Sequence, residues 1–175
     1  GYEGHAVGKE DRSIRERLVA ESMKLLTQAY ADVGGELISA GGTGTYDINT
    51  WVNEIQAGSY ALMDVAYAKL GLPFGQALSI LATIISVSPD GYVVANCGLK
   101  GLGMDHGNPE IKGGGEVLVV TDEHTTFVPM SRLSVGDQVQ LLPGHCDPTI
   151  AYHERLHVVS GDDVLETWPV DLRGW

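Results

Sequence analysis

His145 and Asp147 stand two residues apart in Pro143-Gly144-His145-Cys146-Asp147-Pro148-Thr149, directly after an apolar run. In an extended segment residues i and i+2 share a face, so this spacing predicts an imidazole beside a carboxylate, with the Cys146 thiol turned the other way. One nitrogen and one oxygen ligand form a usable half-site for a borderline divalent metal such as Zn²⁺ or Mn²⁺. Two protein ligands leave positions open for water or substrate, as catalysis by a metal requires. The same residues also suit a turn in which His and Asp satisfy local backbone groups.

A second candidate is Ser39-Ala40-Gly41-Gly42-Thr43-Gly44-Thr45, which follows a short apolar stretch. Glycines let backbone N–H groups approach an oxyanion, and threonine hydroxyls add donors, so the loop suits a phosphate. It lacks the lysine of a P-loop and the spacing of a dinucleotide fingerprint, which favours a cofactor monophosphate over a nucleotide. The alternative is a tight strand-to-helix turn. Tyr2 and His5 are expected on a strand or at its carboxyl end, and Tyr60 follows Gly58 in a similar setting. Glu123-His124, Asp105-His106 and His153 read as structural or surface polar groups.

The elements that must position these residues fall into two textures. From Asp11 to Ala31, Ile14, Leu18, Val19, Met23, Leu25, Leu26 and Tyr30 recur at helical spacing among charged residues, and Val33-Gly34-Gly35 ends the helix. Short strands are expected at 36–39 and 54–60, with a weaker helical segment at 48–52. Together they alternate as parallel α/β units do. Beyond Pro73 the pattern becomes short β-rich runs at 78–87, 92–95, 116–120, 138–142 and 157–159, with turn residues such as Gly91, Gly136 and Gly161 beside them. Residues 1–74 are therefore read as α/β and residues 75–175 as a mostly antiparallel β-domain.

The 175 residues, 43% hydrophobic and 19% charged, suit a globular chain that buries a core without staples. A net charge of −12 argues against nucleic acid or an anionic membrane surface as partner. The most apolar stretch, 77–87, is too short to span a bilayer. Two cysteines are too few for a disulfide framework, so a reducing, cytoplasmic setting is expected. The first residues lack an initiator Met and read as the middle of an element, which suggests a piece of a longer polypeptide.

Five stretches occur in order: Gly1-Tyr2-Glu3-Gly4-His5, Ser39 through Asp47, Glu54 through Asp64, Cys97-Gly98-Leu99-Lys100 and Gly144 through Thr149. Through them the chain resembles, over nearly its full length, the carboxyl-terminal half of the D-threonine aldolase and D-serine dehydratase family. The resemblance implies a fold-type III pyridoxal-phosphate enzyme, with the last strands and helices of an alanine-racemase-like (β/α)8 barrel followed by the β-domain. It implies that Gly41, Gly42, Thr43 and Gly44 bind the phosphate of pyridoxal phosphate, with Tyr60 and Tyr2 near the cofactor. It also implies that His145 and Asp147 hold a catalytic divalent metal (Mn²⁺ or Zn²⁺, with Mg²⁺ a further option). In the dehydratase branch the position of Asp147 is typically Cys, so Asp there resembles the aldolases.

There are departures. Gln56-Ala57 stands where relatives often read Arg-Pro, and Asn96 replaces a common Asp. None of Lys9, Lys24, Lys69, Lys100 and Lys112 matches the context of the family's Schiff-base lysine, which lies near the amino terminus of complete proteins. The expected activity is cleavage of a D-3-hydroxy amino acid to glycine and an aldehyde. The alternatives are a dehydratase acting on D-serine or D-threo-3-hydroxyaspartate, and a non-catalytic ligand-binding remnant. The implied partners are the small-molecule substrate, the missing amino-terminal half of the same enzyme, and a second copy in a homodimer.

Overall fold

The computed structural model describes residues 1–173 and divides into two compact units, Gly1–Ala77 and Leu78–Trp175. Each is described by itself.

The first unit is organised by one long helix. After a short α1 (Gly4–Val7), Asp11 caps α2 (Arg12–Val33), its side chain accepting from the N–H groups of Ser13 and Ile14. Asp is suited to this role because its carboxylate satisfies donors that have no partner within the helix. Gly34, at φ 79°, ends the helix in a conformation that strains other residues. Arg15, Val19 and Met23, four residues apart, form the buried stripe, and Leu18 and Leu26 flank it. Leu25, expected on the apolar face, points outward instead, and Ile14 and Tyr30 are also exposed. The buried Arg15 guanidinium donates to the carbonyls of Lys9 and Glu10, tying the entry loop to the helix.

Against this stripe lies a parallel pair, β1 (Ser39–Ala40) and β2 (Glu54–Ile55), with Ala40 opposite Ile55. Both strands were expected. The segment 48–52 is irregular rather than helical, because Ile48 and Asn49 close turns onto the Thr45 carbonyl and no run of helical bonds follows. Tyr2 and His5 do not lie on a strand: Tyr2 leads into α1 and His5 is within it. A second apolar cluster of Met63, Tyr67 and Leu70 surrounds α3 (Val65–Ala68), which Asp64 caps by accepting from the Tyr67 N–H.

The second unit is an antiparallel sheet. Its strands are β3 (Ile80–Val87), β4 (Val93–Ala95), β5 (Glu110–Ile111), β6 (Gly115–Val120), β7 (Thr125–Pro129) and β8 (Gln138–Leu142), in the order β5-β8-β3-β4-β7-β6. Alternation sends Ala82 and Ile84 inward while Leu81 and Ile85 face out, as the twofold period of a strand requires. The inward residues meet Val93, Ala95, Leu102, Ile111, Phe127 and Leu141 in one core. The two edge strands approach each other: a Cβ on Gly115 in β6 would lie 3.4 Å from the Ile111 side chain in β5, so the sheet curls into a nearly closed barrel. A separate hairpin pairs β9 (Arg155–Ser160) with β10 (Asp163–Pro169) around Gly161, which has φ 59°. Among the described residues no helix is long and apolar enough to cross a membrane.

Candidate active site

In the first unit the glycine loop is shaped from below by a carboxylate. Glu3 is fully buried, and its oxygens accept from the Gly41 N–H at 3.1 Å, the Thr45 hydroxyl at 2.9 Å and the Asn49 amide at 3.0 Å. The Thr45 oxygen in turn accepts from the Gly42 N–H. Two of the four loop amides are thereby committed to the protein. Thr43 and Gly44 are buried, yet among the described residues no hydrogen bond reaches their N–H groups. Buried amides without a partner are rare, and a bound oxyanion is one way to satisfy them.

The loop also leaves no room for larger residues. Gly41 has φ 87°, and a Cβ on Gly44 would fall 1.8 Å from the Val7 carbonyl oxygen. A Cβ on Gly42 would press on Val7 and the Tyr2 ring. Tyr2 therefore stands beside the loop, mostly exposed. Tyr60 is tied to it through its backbone N–H, which donates to the Thr43 hydroxyl oxygen at 3.0 Å, while its ring packs on Phe74. The donors and the close-packed glycines fit a phosphate group.

In the second unit the segment after β8 does not stay extended. His145 is the last extended residue (φ −141°, ψ 123°) and the N-cap of α4 (Cys146–Tyr152). Asp147 sits in the first helical turn, where a negative charge is favourable. The imidazole and carboxylate do lie side by side, with His145 Nε2 3.1 Å from Asp147 Oδ2, but a helix start rather than strand alternation brings them together. The Cys146 thiol is buried and lies 3.9 Å from Asp147 Oδ1, so it is not turned away as the extended reading expected.

A turn at 104–107 completes the cluster, closed by the Gly107 N–H on the Met104 carbonyl. It is stapled to the segment that carries His145. The His145 N–H donates to the Gly103 carbonyl, and the Gly103 N–H donates to the Thr149 hydroxyl, which itself donates to the His145 carbonyl. Side chains are excluded at this seam. A Cβ on Gly103 would lie 2.4 Å from Pro148, and one on Gly144 would lie 2.1 Å from the Gly107 carbonyl oxygen.

The staple delivers Asp105 and His106 to His145. Asp105 receives the His145 Nδ1 group on both oxygens, at 2.8 and 2.9 Å, and the His106 ring stacks on that of His145 with centroids 3.8 Å apart. Burial pushes the Asp105 carboxyl up, but the hydrogen bond and charge of His145 outweigh it and hold the group below the usual carboxylate value. Ligand atoms of Asp105, His106 and His145 all lie within 4.8 Å of one another.

The donor set has a chemical consequence. With Nδ1–H given to Asp105, the Nε2 lone pair of a neutral imidazole faces the Asp147 carboxylate, an arrangement that calls for a cation between or beside them. A proton on Nε2 meets that need, and so does a divalent metal. Two ligands at about 2.1 Å from one ion are about 3.0–3.4 Å apart at right or tetrahedral angles, so the 3.1 Å pair fits.

The sequence singles out His145 and Asp147, but its reading takes Asp105-His106 for structural or surface groups and gives Glu3 no role. The Gly107 that follows Asp105-His106 signals a turn. Nothing local shows which segment the turn packs against. Other polar residues are accounted for structurally: His153 Nε2 bonds the Gly101 carbonyl, Lys100 pairs with Glu123, and Lys112 donates to Gln140.

The chain is similar to several known proteins. The family model described as "Putative serine dehydratase domain" matches residues 77–159. The chain is 33% identical over 193 residues to a 3-hydroxy-D-aspartate aldolase of Paracoccus denitrificans, a match covering 99% of this chain and 50% of that protein. A solved D-threonine aldolase from Filomicrobium marinum superimposes with a TM-score of 0.90 at 30% identity, covering 98% of this chain and 51% of the other. An alanine-racemase-like protein from Idiomarina loihiensis shares the fold, with a TM-score of 0.78 at 20% identity over 99% and 55% of the two chains. The chain spans about half the length of the curated relatives it matches. These matches make the chain similar to the D-threonine aldolase and D-serine dehydratase family, on the alanine-racemase-like fold.

Proposed function

We propose that the chain is part of a pyridoxal-phosphate- and divalent-metal-dependent lyase that cleaves D-3-hydroxy amino acids between Cα and Cβ, releasing glycine and an aldehyde. The observation that carries this reading is the His145–Asp147 pair, an imidazole nitrogen and a carboxylate oxygen 3.1 Å apart at the start of α4. It agrees with the names of the relatives, a 3-hydroxy-D-aspartate aldolase and D-threonine aldolases.

When bound, the cofactor withdraws electrons from the α-carbon, and the cation lowers the pKa of a coordinated hydroxyl. The protein's contribution is placement. Thr43 and Gly44 offer backbone N–H donors to the phosphate, and Gly41 and Gly42 shape the loop through their own bonds to Glu3 and Thr45. Tyr60 holds the Thr43 hydroxyl from the backbone side, and Tyr2 packs beside Gly42. His145 and Asp147 would hold the metal, which would supply acidity to the substrate's hydroxyl. An oxygen–nitrogen ligand pair suits Mn²⁺ or Zn²⁺, with Mg²⁺ less favoured by the imidazole. Cys146 is not a ligand in this reading. Only two cysteines and no disulfide among the described residues fit a cytoplasmic setting, and a homodimer of the complete enzyme follows from the resemblance.

The test is product analysis on the complete polypeptide with pyridoxal phosphate and Mn²⁺. D-threonine is expected to give glycine and acetaldehyde, and D-3-hydroxyaspartate glycine and glyoxylate. Ammonia and a 2-oxo acid instead identify a dehydratase. Absence of aldehyde from every D-3-hydroxy acid tried overturns the aldolase reading.

A further inference from the structure

We propose that Asp105 is a positioning residue for the metal, clamping His145 by its Nδ1–H so that Nε2 is presented toward Asp147. The inference rests on the metal reading above and goes beyond it by adding a residue outside the ligand pair.

The argument starts from tautomers. A neutral imidazole coordinates a metal through the nitrogen that carries no proton, and which nitrogen that is depends on the bond made by the other. Asp105 supplies that bond with both oxygens, at 2.8 and 2.9 Å from Nδ1. The ring has two torsions to fix. His106, stacked at 3.8 Å with 16° between planes, blocks one face, and the carboxylate sets the direction within the plane. Nε2 then faces Asp147 Oδ2.

The clamp is itself rigidly carried. Asp105 and His106 lie between Met104 and Gly107, whose backbone bond closes the turn, and the Gly103–His145–Thr149 bonds fix that turn to the start of α4.

A purely structural role for Asp105 is a poor account of these contacts. Its side chain is 58% exposed, and exposed ion pairs contribute little to stability. Its removal should therefore leave the fold nearly intact while changing the metal site. Partners that orient a ligating histidine typically shift metal affinity by about 10–100-fold.

The test is Mn²⁺ binding to the complete polypeptide carrying pyridoxal phosphate. Calorimetry gives the dissociation constant, and pulsed EPR of the bound ion reports the imidazole nitrogen. Four proteins are compared: wild type, Asp105→Ala, Asp105→Asn and His145→Ala. The expected result is Mn²⁺ binding about 10–100-fold weaker in Asp105→Ala, with a weakened or heterogeneous nitrogen signal and an unchanged melting temperature. Asp105→Asn, which keeps an acceptor oxygen but loses the charge, should fall between. If Asp105→Ala does not fold, Asp105→Asn decides, and wild-type affinity in that variant overturns the inference. Wild-type affinity in Asp105→Ala, with loss in His145→Ala, overturns the clamp and leaves the metal pair standing. Equal binding by wild type and His145→Ala overturns the metal reading itself.

Discussion

Replacing Glu3 by alanine or glutamine perturbs the frame of the glycine loop without touching any residue proposed to meet the phosphate. Glu3 is fully buried and accepts three hydrogen bonds, from the Gly41 N–H, the Thr45 hydroxyl and the Asn49 amide. A hydrogen bond to a charged acceptor contributes about 1.5–3 kcal/mol, and a buried donor left without one costs about 1–3 kcal/mol. In Glu3→Ala three donors lose their acceptor together, so a loss of about 3–5 kcal/mol is expected, short of the full sum because bonds sharing one acceptor are not additive.

Glu3→Gln is more discriminating. Its amide oxygen can still serve Thr45 and Asn49, but its NH₂ group then confronts the Gly41 N–H across 3.1 Å. One unsatisfied donor contact predicts about 1–3 kcal/mol. Urea unfolding of the complete polypeptide reads the two losses. Hydrogen exchange across residues 38–49 tests their location, with the Gly41 amide expected to lose protection. Affinity for pyridoxal phosphate should fall in the order wild type, Gln, Ala. If both variants unfold within about 0.5 kcal/mol of wild type and keep Gly41 protected, the carboxylate does not hold the loop and the reasoning fails.

Four further outcomes are expected. Gly44→Ala brings a methyl group into the Val7 carbonyl, so pyridoxal phosphate binding measured by absorbance titration should weaken by about tenfold or more. Asp147→Asn should reduce Mn²⁺ affinity while Cys146→Ala leaves it within about twofold, and calorimetry showing the reverse would make the thiol the ligand. Asp11 is held below the usual carboxylate value by its bonds from the Ser13 side chain and the backbone of Ser13 and Ile14. A depressed value stabilises the fold above the unfolded-state pKa, and this contribution is lost as pH falls through the folded one. Asp11→Ala should thus lower stability at pH 7 more than at pH 2, as acid-series melting would show. Expressed by itself, the 175-residue chain should associate, because the two-stranded parallel pair β1–β2 has unpaired edges; a sharp monomer peak with cooperative melting would contradict this.

Much of this molecule was legible from local signals. The long helix α2, its stop at Gly34 and the run from 80 to 87 depend on neighbouring residues, so a reading of spacing and turn chemistry finds them. The residue types of the proposed metal pair, His145 and Asp147, can be picked out before any coordinates are known. What local reading misjudged was the conformation that joins them, since His-x-Asp fits a strand face by period two and also fits a cap followed by a first helical turn. Tertiary packing chose the second: the Gly103–His145 and Thr149 bonds satisfy the backbone groups at that helix start. Glu3 and Asp105 became visible only in three dimensions. Each acts on residues about 40 positions away, on Gly41 through Asn49 and on His145. No pattern of spacing in the chain encodes such a distance. It is decided when glycines at 44, 103 and 144 let backbones close to contact that a side chain would forbid.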